Sequence, residues 1–277
     1  MSEEPVAVVS KELTFAHAGD SGDLVYSLPV IDALAKGRAS QLFINQSHYT
    51  RVKANQNSVD LIKPLLAATR PWLEVSLHHG ELVRYNLNRW RDRPASYSKL
   101  TRTLAECHAM AFGFGMELFR QPWITLKAGS LMADRAAESA LHYPVVIHRS
   151  ARYQNPWFPW KSILDRYDDA IIMVGLKEEH EAFCEEFSVE IPHIITKDFL
   201  ELAHVINAAK LFIGNQSSPF ALAEAMKKPV IQEVCLAIKG QGNPNCLFPR
   251  RWAQHVATEN WTPWDLASLP EHNLTYA

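Results

Sequence analysis

Short apolar runs alternate with amphipathic stretches and polar turns along this 277-residue chain. In the first half, residues 13–16 (LTFA) read as a strand, followed by the polar turn His17-Ala18-Gly19-Asp20-Ser21-Gly22-Asp23. Residues 24–34 read as an amphipathic helix, interrupted or bent at Pro29. Residues 41–45 predict a second short strand and residues 59–66 a helix. Residues 72–77 predict a strand after the Arg70-Pro71 break. Residues 99–112 have helical spacing, with Leu100, Leu104, Cys107, Ala111 and Phe112 apolar. Residues 128–142 are small and polar and read as an interdomain connection.

A second series then begins. Val145-Val146-Ile147 is a buried-type strand, and residues 171–175 are another, ending in Gly175. Residues 178–187 predict an acidic helix, residues 193–195 a third strand, and residues 199–209 a helix capped by Asp198. Residues 211–213 predict a fourth strand that stops at Gly214. The turn Asn215-Gln216-Ser217-Ser218 follows. Pro219 stands where a first helical residue would, and residues 220–227 have helical composition. Strands alternating with helices at this spacing predict parallel βαβ units with right-handed crossovers. The fold class is α/β, with two Rossmann-like domains facing an interdomain cleft, where ligands would bind. The expected division is an N-terminal domain over residues 1–135 and a C-terminal domain over residues 143–255. A tail over residues 256–277 would pack back on the body, because Trp252, Trp261 and Trp264 need burial.

Three loops at strand ends carry candidate chemistry. In the His17–Asp23 turn, a carboxylate of Asp20 or Asp23 within reach of a hydroxyl could take its proton as general base. Either could equally cap the following helix. After Val145-Val146-Ile147 comes His148-Arg149-Ser150-Ala151-Arg152-Tyr153. Arg149 and Arg152 suit a diphosphate clamp of charge-assisted hydrogen bonds, with structural salt bridges as the alternative. The Asn215–Ser218 turn delivers free backbone N–H groups at a helix start, an anion site, with Ser217 or Ser218 as the cap. Gly175 with Glu179 could add a contact to ribose hydroxyls, although acidic residues in a first helical turn also simply favour the helix dipole.

Charge adds one feature. The net charge of −2 gives no bulk case for nucleic acid. Residues 1–142 nevertheless carry 16 Lys/Arg against 14 Asp/Glu, and residues 143–277 carry 12 against 16. Within residues 84–102, Arg84, Arg89, Arg91, Arg93, Lys99 and Arg102 stand against Asp92, with Tyr85, Trp90 and Tyr97 interleaved. Such a mixture can hold a phosphate backbone or can be an ordinary solvated face. Cys107, Cys184, Cys235 and Cys246 are widely spread, which supports neither a zinc site nor a disulfide framework. There is no apolar run of the ~20 residues needed to span a bilayer, and no signal-peptide pattern, so a cytoplasmic setting is expected.

With these residues in view, the chain resembles the GT-B glycosyltransferases, and its pattern is similar to that of the heptosyltransferase-like glycosyltransferase family nine. The early GD-x-x-x-x-LP pattern stands here as Gly22-Asp23-Leu24-Val25-Tyr26-Ser27-Leu28-Pro29. The late pattern, iGNDSGpxHlAaAxgkP, stands as GNQSSPFALAEAMKKP over residues 214–229. The resemblance implies a GT-B fold, an acceptor on the first domain, a nucleotide-sugar on the second, and transfer without a metal. It places Asp23 on the catalytic-base position and Gln216, Ser217 and Ser218 on the donor-binding turn. The family's acidic residue, glycine and histidine are replaced by Gln216, Ser218 and Ala221, which weighs against a heptose donor, although an anion-binding helix end survives.

The sequence therefore predicts an inverting, metal-independent glycosyltransferase that uses a nucleotide diphosphate sugar and no other cofactor. Asp23 would be catalytic. Arg149, Arg152, Gly175, Glu179, Asn215, Gln216, Ser217 and Ser218 would bind the donor. Asp20, Arg89, Trp90, Arg91 and Arg93 would bind the acceptor, either a hydroxylated base in DNA, as in viral GT-B enzymes that the chain resembles by fold and charge only, or a glycan. The alternatives are a catalytically inactive GT-B-like nucleotide- or glycan-binding protein and a nucleotide-sugar epimerase.

Overall fold

The structure is a computed structural model that describes residues 13–18, 21–44, 55–92, 103–127, 138, 140–156 and 158–233. It contains two parallel sheets. The strands β1 (Leu13–His17), β2 (Ser40–Ile44), β3 (Leu73–Leu77) and β4 (Tyr85–Asn86) lie in the order β3-β2-β1-β4. The strands β5 (Val145–His148), β6 (Ile171–Val174), β7 (His193–Ile194), β8 (Leu211–Asn215) and β9 (Val230–Glu233) lie in the order β7-β6-β5-β8-β9. In each sheet the chain winds outward from its first strand and then crosses to the other side. That leaves a switch point between β1 and β4 and another between β5 and β8, and open α/β sheets bind ligands beyond the strand ends at such points.

The helices are α1 (Ser21–Ala35), α2 (Gln56–Thr69), α3 (Leu104–Ala111), α4 (Trp160–Tyr167), α5 (Lys177–Phe187), α6 (Phe199–Ala208) and α7 (Ser218–Ala225). Asp198 caps α6 as expected, accepting from the Glu201 N–H at 2.9 Å. Helix α3 begins at Leu104, where Thr103 and Glu106 form a reciprocal capping box, so it starts later than its apolar spacing suggests. Three elements escaped the pattern reading. Helix α4 buries Trp160, Ile163, Leu164 and Tyr167, a helical stripe obscured by Pro156 and Pro159 before it. Strand β9 and the β4 turn are too short to show a period. Strand β8 does not stop at Gly214 but continues to Asn215. Gly214 is opposite His148, and a Cβ on it would lie 2.4 Å from the His148 carbonyl oxygen. Glycine is needed there to let the strands meet, not to end one.

Helix α1 departs from the amphipathic expectation. Every residue from Leu24 to Ile31 is buried, because α1 is covered by its own sheet on one side and by α7 on the other. Helix α7 is likewise buried from Pro219 to Ala225. Helix α2 packs on α6 in the same way. One apolar cluster therefore runs through both halves, from Phe15, Leu28 and Ile31 to Val205, Phe220 and Leu222. A second cluster, with Ile147, Trp160, Met173 and Phe183, fills the other face of the second sheet.

Pro29 does not interrupt α1, which is continuous through it. Its ring removes the N–H that would reach the Val25 carbonyl. The Trp123 indole N–H takes over that acceptor at 2.9 Å. Trp123 also donates its backbone N–H to the Ala225 carbonyl at 2.9 Å, and its own carbonyl accepts from Arg70 at 2.6 Å. Lys227, held at φ 57 just past α7, donates to the Phe119 carbonyl and lies 4.8 Å from the Trp123 ring. One tryptophan thus ties α1, the end of α2 and the end of α7 together. The expected boundary at residue 135 and the tail over residues 256–277 lie outside the described residues.

Trp123→Phe keeps the ring but leaves the buried Val25 carbonyl without its donor, and is expected to lower stability by about 1–3 kcal/mol in urea unfolding. Gly214→Ala forces a methyl into the β5 backbone and is expected to cost about 3 kcal/mol or more.

Candidate functional site

The early and late turns, far apart in sequence, meet at the first turns of α1 and α7. A Cβ on Gly22 would lie 3.6 Å from the Ser217 carbonyl oxygen and 3.7 Å from the Ser218 Cα. Both helices therefore direct their N-terminal N–H groups into one region, where partial positive charge accumulates.

On the first-half side, Asp23 lies in the first turn of α1 and forms an ion pair with Arg91. Arg91 belongs to a 3-10 turn, Leu87–Asp92, that follows β4. Asn88 pins this turn to the end of β1 by accepting from the Ala18 N–H at 2.9 Å. The Arg91 guanidinium lies 4.4 Å from the Trp90 ring centroid, and Trp90 packs on His108 with centroids 5.3 Å apart. His17 and His108 are both fully buried. Burial, then the Arg91 charge, pushes the His17 imidazole down to about 3. Burial, then His17 and Arg91, holds His108 well below the usual histidine range.

This geometry corrects the acceptor expectation. Trp90 is buried under Arg91 and cannot offer a stacking face to a base. Arg91 points inward to Asp23, not outward to phosphates. Arg89 is exposed on the same turn, and Asp20 and Arg93 lie outside the described residues. A continuous basic and aromatic surface is not formed by residues 84–92, so the DNA acceptor loses its structural basis.

On the second-half side, Asn215 is fully buried and acts as a clasp rather than an open contact. Its side chain accepts from the Ser150 N–H at 3.1 Å and donates to the Ser150 and Arg152 carbonyls at 2.9 and 2.6 Å. It thereby fastens the loop after β5 to the end of β8. Ser217, not Ser218, caps α7, accepting from the Phe220 N–H, while its hydroxyl donates to the Asn215 carbonyl at 3.0 Å. Gln216, Ser217 and Ser218 are each partly exposed, and Ser217 and Ser218 lie beside Gly22.

Arg149 takes the second course that the sequence left open. It is 3% exposed, its Nε donates to both oxygens of Glu233 at 3.1 Å, and a terminal nitrogen donates to Glu186 at 2.6 Å. Burial raises the Glu233 carboxyl above the usual range while Arg149 opposes the rise. Arg149 is thus a structural cation, and Arg152, exposed beside the Tyr153 ring, is the arginine of that loop left at the surface. Gly175 has φ 143, and a Cβ there would sit 2.9 Å from both Glu179 Oε2 and His148 Nδ1, so only glycine fits. Glu179 Oε2 accepts from the Leu176 N–H at 3.1 Å, the helix-start role weighed against ribose binding. Sequence reasoning missed Tyr26 and Glu224, which hydrogen-bond across the buried α1–α7 contact, because neither looks unusual until the helices are packed.

No family model and no curated protein matches the sequence. Solved structures do. A glycosyltransferase of family nine from Veillonella parvula DSM 2008 superposes with a TM-score of 0.52 at 14% identity, covering 87% of this chain and 84% of that one. The chain shares its fold with glycosyltransferase family nine. The iron-containing dodecameric heptosyltransferase TibC of enterotoxigenic E. coli H10407, in complex with ADP-D-β-D-heptose, superposes with a TM-score of 0.51 at 15% identity, covering 87% of this chain. This chain spans 63% of TibC's length. The family-nine fold is therefore present as two parallel α/β sheets. Among the described residues no helix is long and apolar enough to cross a membrane.

Arg149→Ala strands the buried Glu233 carboxylate and is expected to destabilise the protein by about 3–5 kcal/mol in chemical denaturation. His17 and His108 predict acid sensitivity. Their folded-state values lie below the ordinary 6.5, so the unfolded chain binds protons that the folded chain refuses. Stability is expected to fall as pH drops below 6.5, continuing towards about 3 for His17, by up to about 1.4 kcal/mol per pH unit for each histidine. His108→Phe should flatten that slope in unfolding curves recorded across the range.

Proposed function

We propose that this protein is a glycosyltransferase that moves a sugar from a nucleotide diphosphate sugar to an acceptor hydroxyl. The observation that carries this reading is the meeting of the Gly22-Asp23 turn with the Ser217–Ser218 helix start, in a chain with the family-nine fold. The two halves then form the walls of a GT-B cleft. The diphosphate lies at the N-terminus of α7, where Ser217 and Ser218 present N–H groups and Arg152 is within the neighbouring loop. The acceptor hydroxyl gives its proton to the Asp23 carboxylate. Its oxygen forms the new bond to the anomeric carbon as the bond from that carbon to the phosphate oxygen breaks, and the electron pair departs with the diphosphate. A single displacement of this kind inverts the anomeric centre. The helix dipoles stabilise the leaving charge, so the step is proposed to proceed without a metal.

The acceptor class favoured is a glycan or other small hydroxyl compound. A second reading, a nucleotide-sugar-binding protein without transfer, is favoured by Gln216 and Ala221, which replace an acidic residue and a histidine in the late turn; Ala221 is wholly buried.

A thermal-shift panel of nucleoside diphosphates and nucleotide sugars is expected to show stabilisation by one nucleotide class. Asp23→Asn is expected to lower transfer by ~10²–10⁴-fold while leaving nucleoside diphosphate affinity unchanged in calorimetry. Equal turnover of mutant and parent would remove Asp23 from the mechanism.

A further inference from the structure

We infer that Arg91 is the positioning residue of the Asp23 carboxylate, a built support that sets its rotamer and the direction of its oxygens. The inference rests on the reading of Asp23 as the base. Asp23 is at the edge of a helix start, its side chain 17% exposed, and an aspartate there has two courses. It can fold back to cap its own helix, or it can turn out toward a ligand. The ion pair with Arg91 draws it toward the β4 turn instead.

Arg91 is itself held from three directions. Its guanidinium lies over the Trp90 indole, 4.4 Å from the centroid, which restricts the plane of the fork. Trp90 is 7% exposed and rests on the fully buried His108 of α3. Asn88 fastens the same turn to the residue after β1. A flexible surface arginine would not need such a bed. The Arg91 charge bears on two buried titratable groups, His17 from β1 and His108 from α3. Burial keeps both neutral, so neither adds a second positive charge that would compete with Arg91 for the Asp23 carboxylate. Trp90 and Arg91, which the sequence assigned to acceptor binding, thus serve the site from behind.

The arrangement has a chemical cost and a benefit. A neighbouring cation favours the ionised carboxylate and so weakens it as a base. In return its oxygen keeps one direction, and misplacement of a catalytic group by about 1 Å can cost roughly a hundredfold in rate.

The test uses release of nucleoside diphosphate from UDP-glucose, GDP-mannose and ADP-heptose with a panel of sugar acceptors, in the full chain. Arg91→Met is expected to lower kcat by about a hundredfold, with donor KM unchanged, and to move the acid limb of the pH–rate profile to higher pH. Arg91→Lys, which keeps the charge and loses the fork, should restore the acid limb but only part of kcat. In an Asp23→Asn background, Arg91→Met should add no further loss, because a residue acting only through Asp23 has nothing left to act on. Thermal unfolding of each variant separates misfolding from lost positioning, and a 13C carboxyl titration of Asp23 reads the same contact if Arg91→Met unfolds on warming. Full activity of Arg91→Met beside an inactive Asp23→Asn overturns this inference and leaves the glycosyltransferase reading standing. An additive loss in the double variant also overturns it. Turnover of none of the three donors by the parent overturns both.

Discussion

The contact between two largely buried helices, α1 and α7, is the constraint on which the rest depends. Neither helix has a solvent face to spend, so each can exist only if the other covers it. That mutual requirement fixes the distance between the halves and brings Gly22 onto the backbone of Ser217 and Ser218. The polar groups trapped by the contact are matched across it. The Tyr26 hydroxyl donates to Glu224, and the indole of Trp123 satisfies the carbonyl that Pro29 leaves open. An unmatched group at either position would be buried without water, which is why these pairs specify one arrangement rather than a family of sliding ones.

The same logic orders the strand ends. Three loops converge there, and in each a buried polar residue is used up in holding the backbone: Asn88 beside β1, Asn215 between β5 and β8, and Glu233 beneath Arg149. Near the meeting of α1 and α7 lie the first N–H groups of α7, the Ser218 hydroxyl, and the Asp23 carboxylate, which Arg91 holds.

The structural likeness places this chain with a fold that carries nucleotide-sugar chemistry in other proteins, at an identity where the fold persists and side chains drift. The drift here is uneven. The GD pattern is kept, and the late turn keeps its cap and its Pro at the helix start, while Gln216, Ser218 and Ala221 differ from the family's pattern. The parts kept are those set by backbone geometry. The parts changed are side chains.

Local chemistry alone determined much of the architecture. The βαβ alternation, the Asp198 and Ser217 caps, Pro219 at a helix start and the glycine-bearing strand ends are all written in short stretches, since each depends on the dihedral preferences and hydrogen bonds of neighbouring residues. The two motif turns could likewise be picked out before any strand was placed, but not that they would meet. Tertiary structure alone decided which charges are free. Nothing in the local pattern separates Arg149, sealed against Glu233, from Arg152 at the surface, or shows that Arg91 faces Asp23 rather than solvent. An arginine's role depends on the carboxylate that the fold brings to it, and Asp23 and Glu233 come from distant segments. For the same reason Pro29 reads as a break in sequence and is none in the structure, because the donor that repairs it is Trp123.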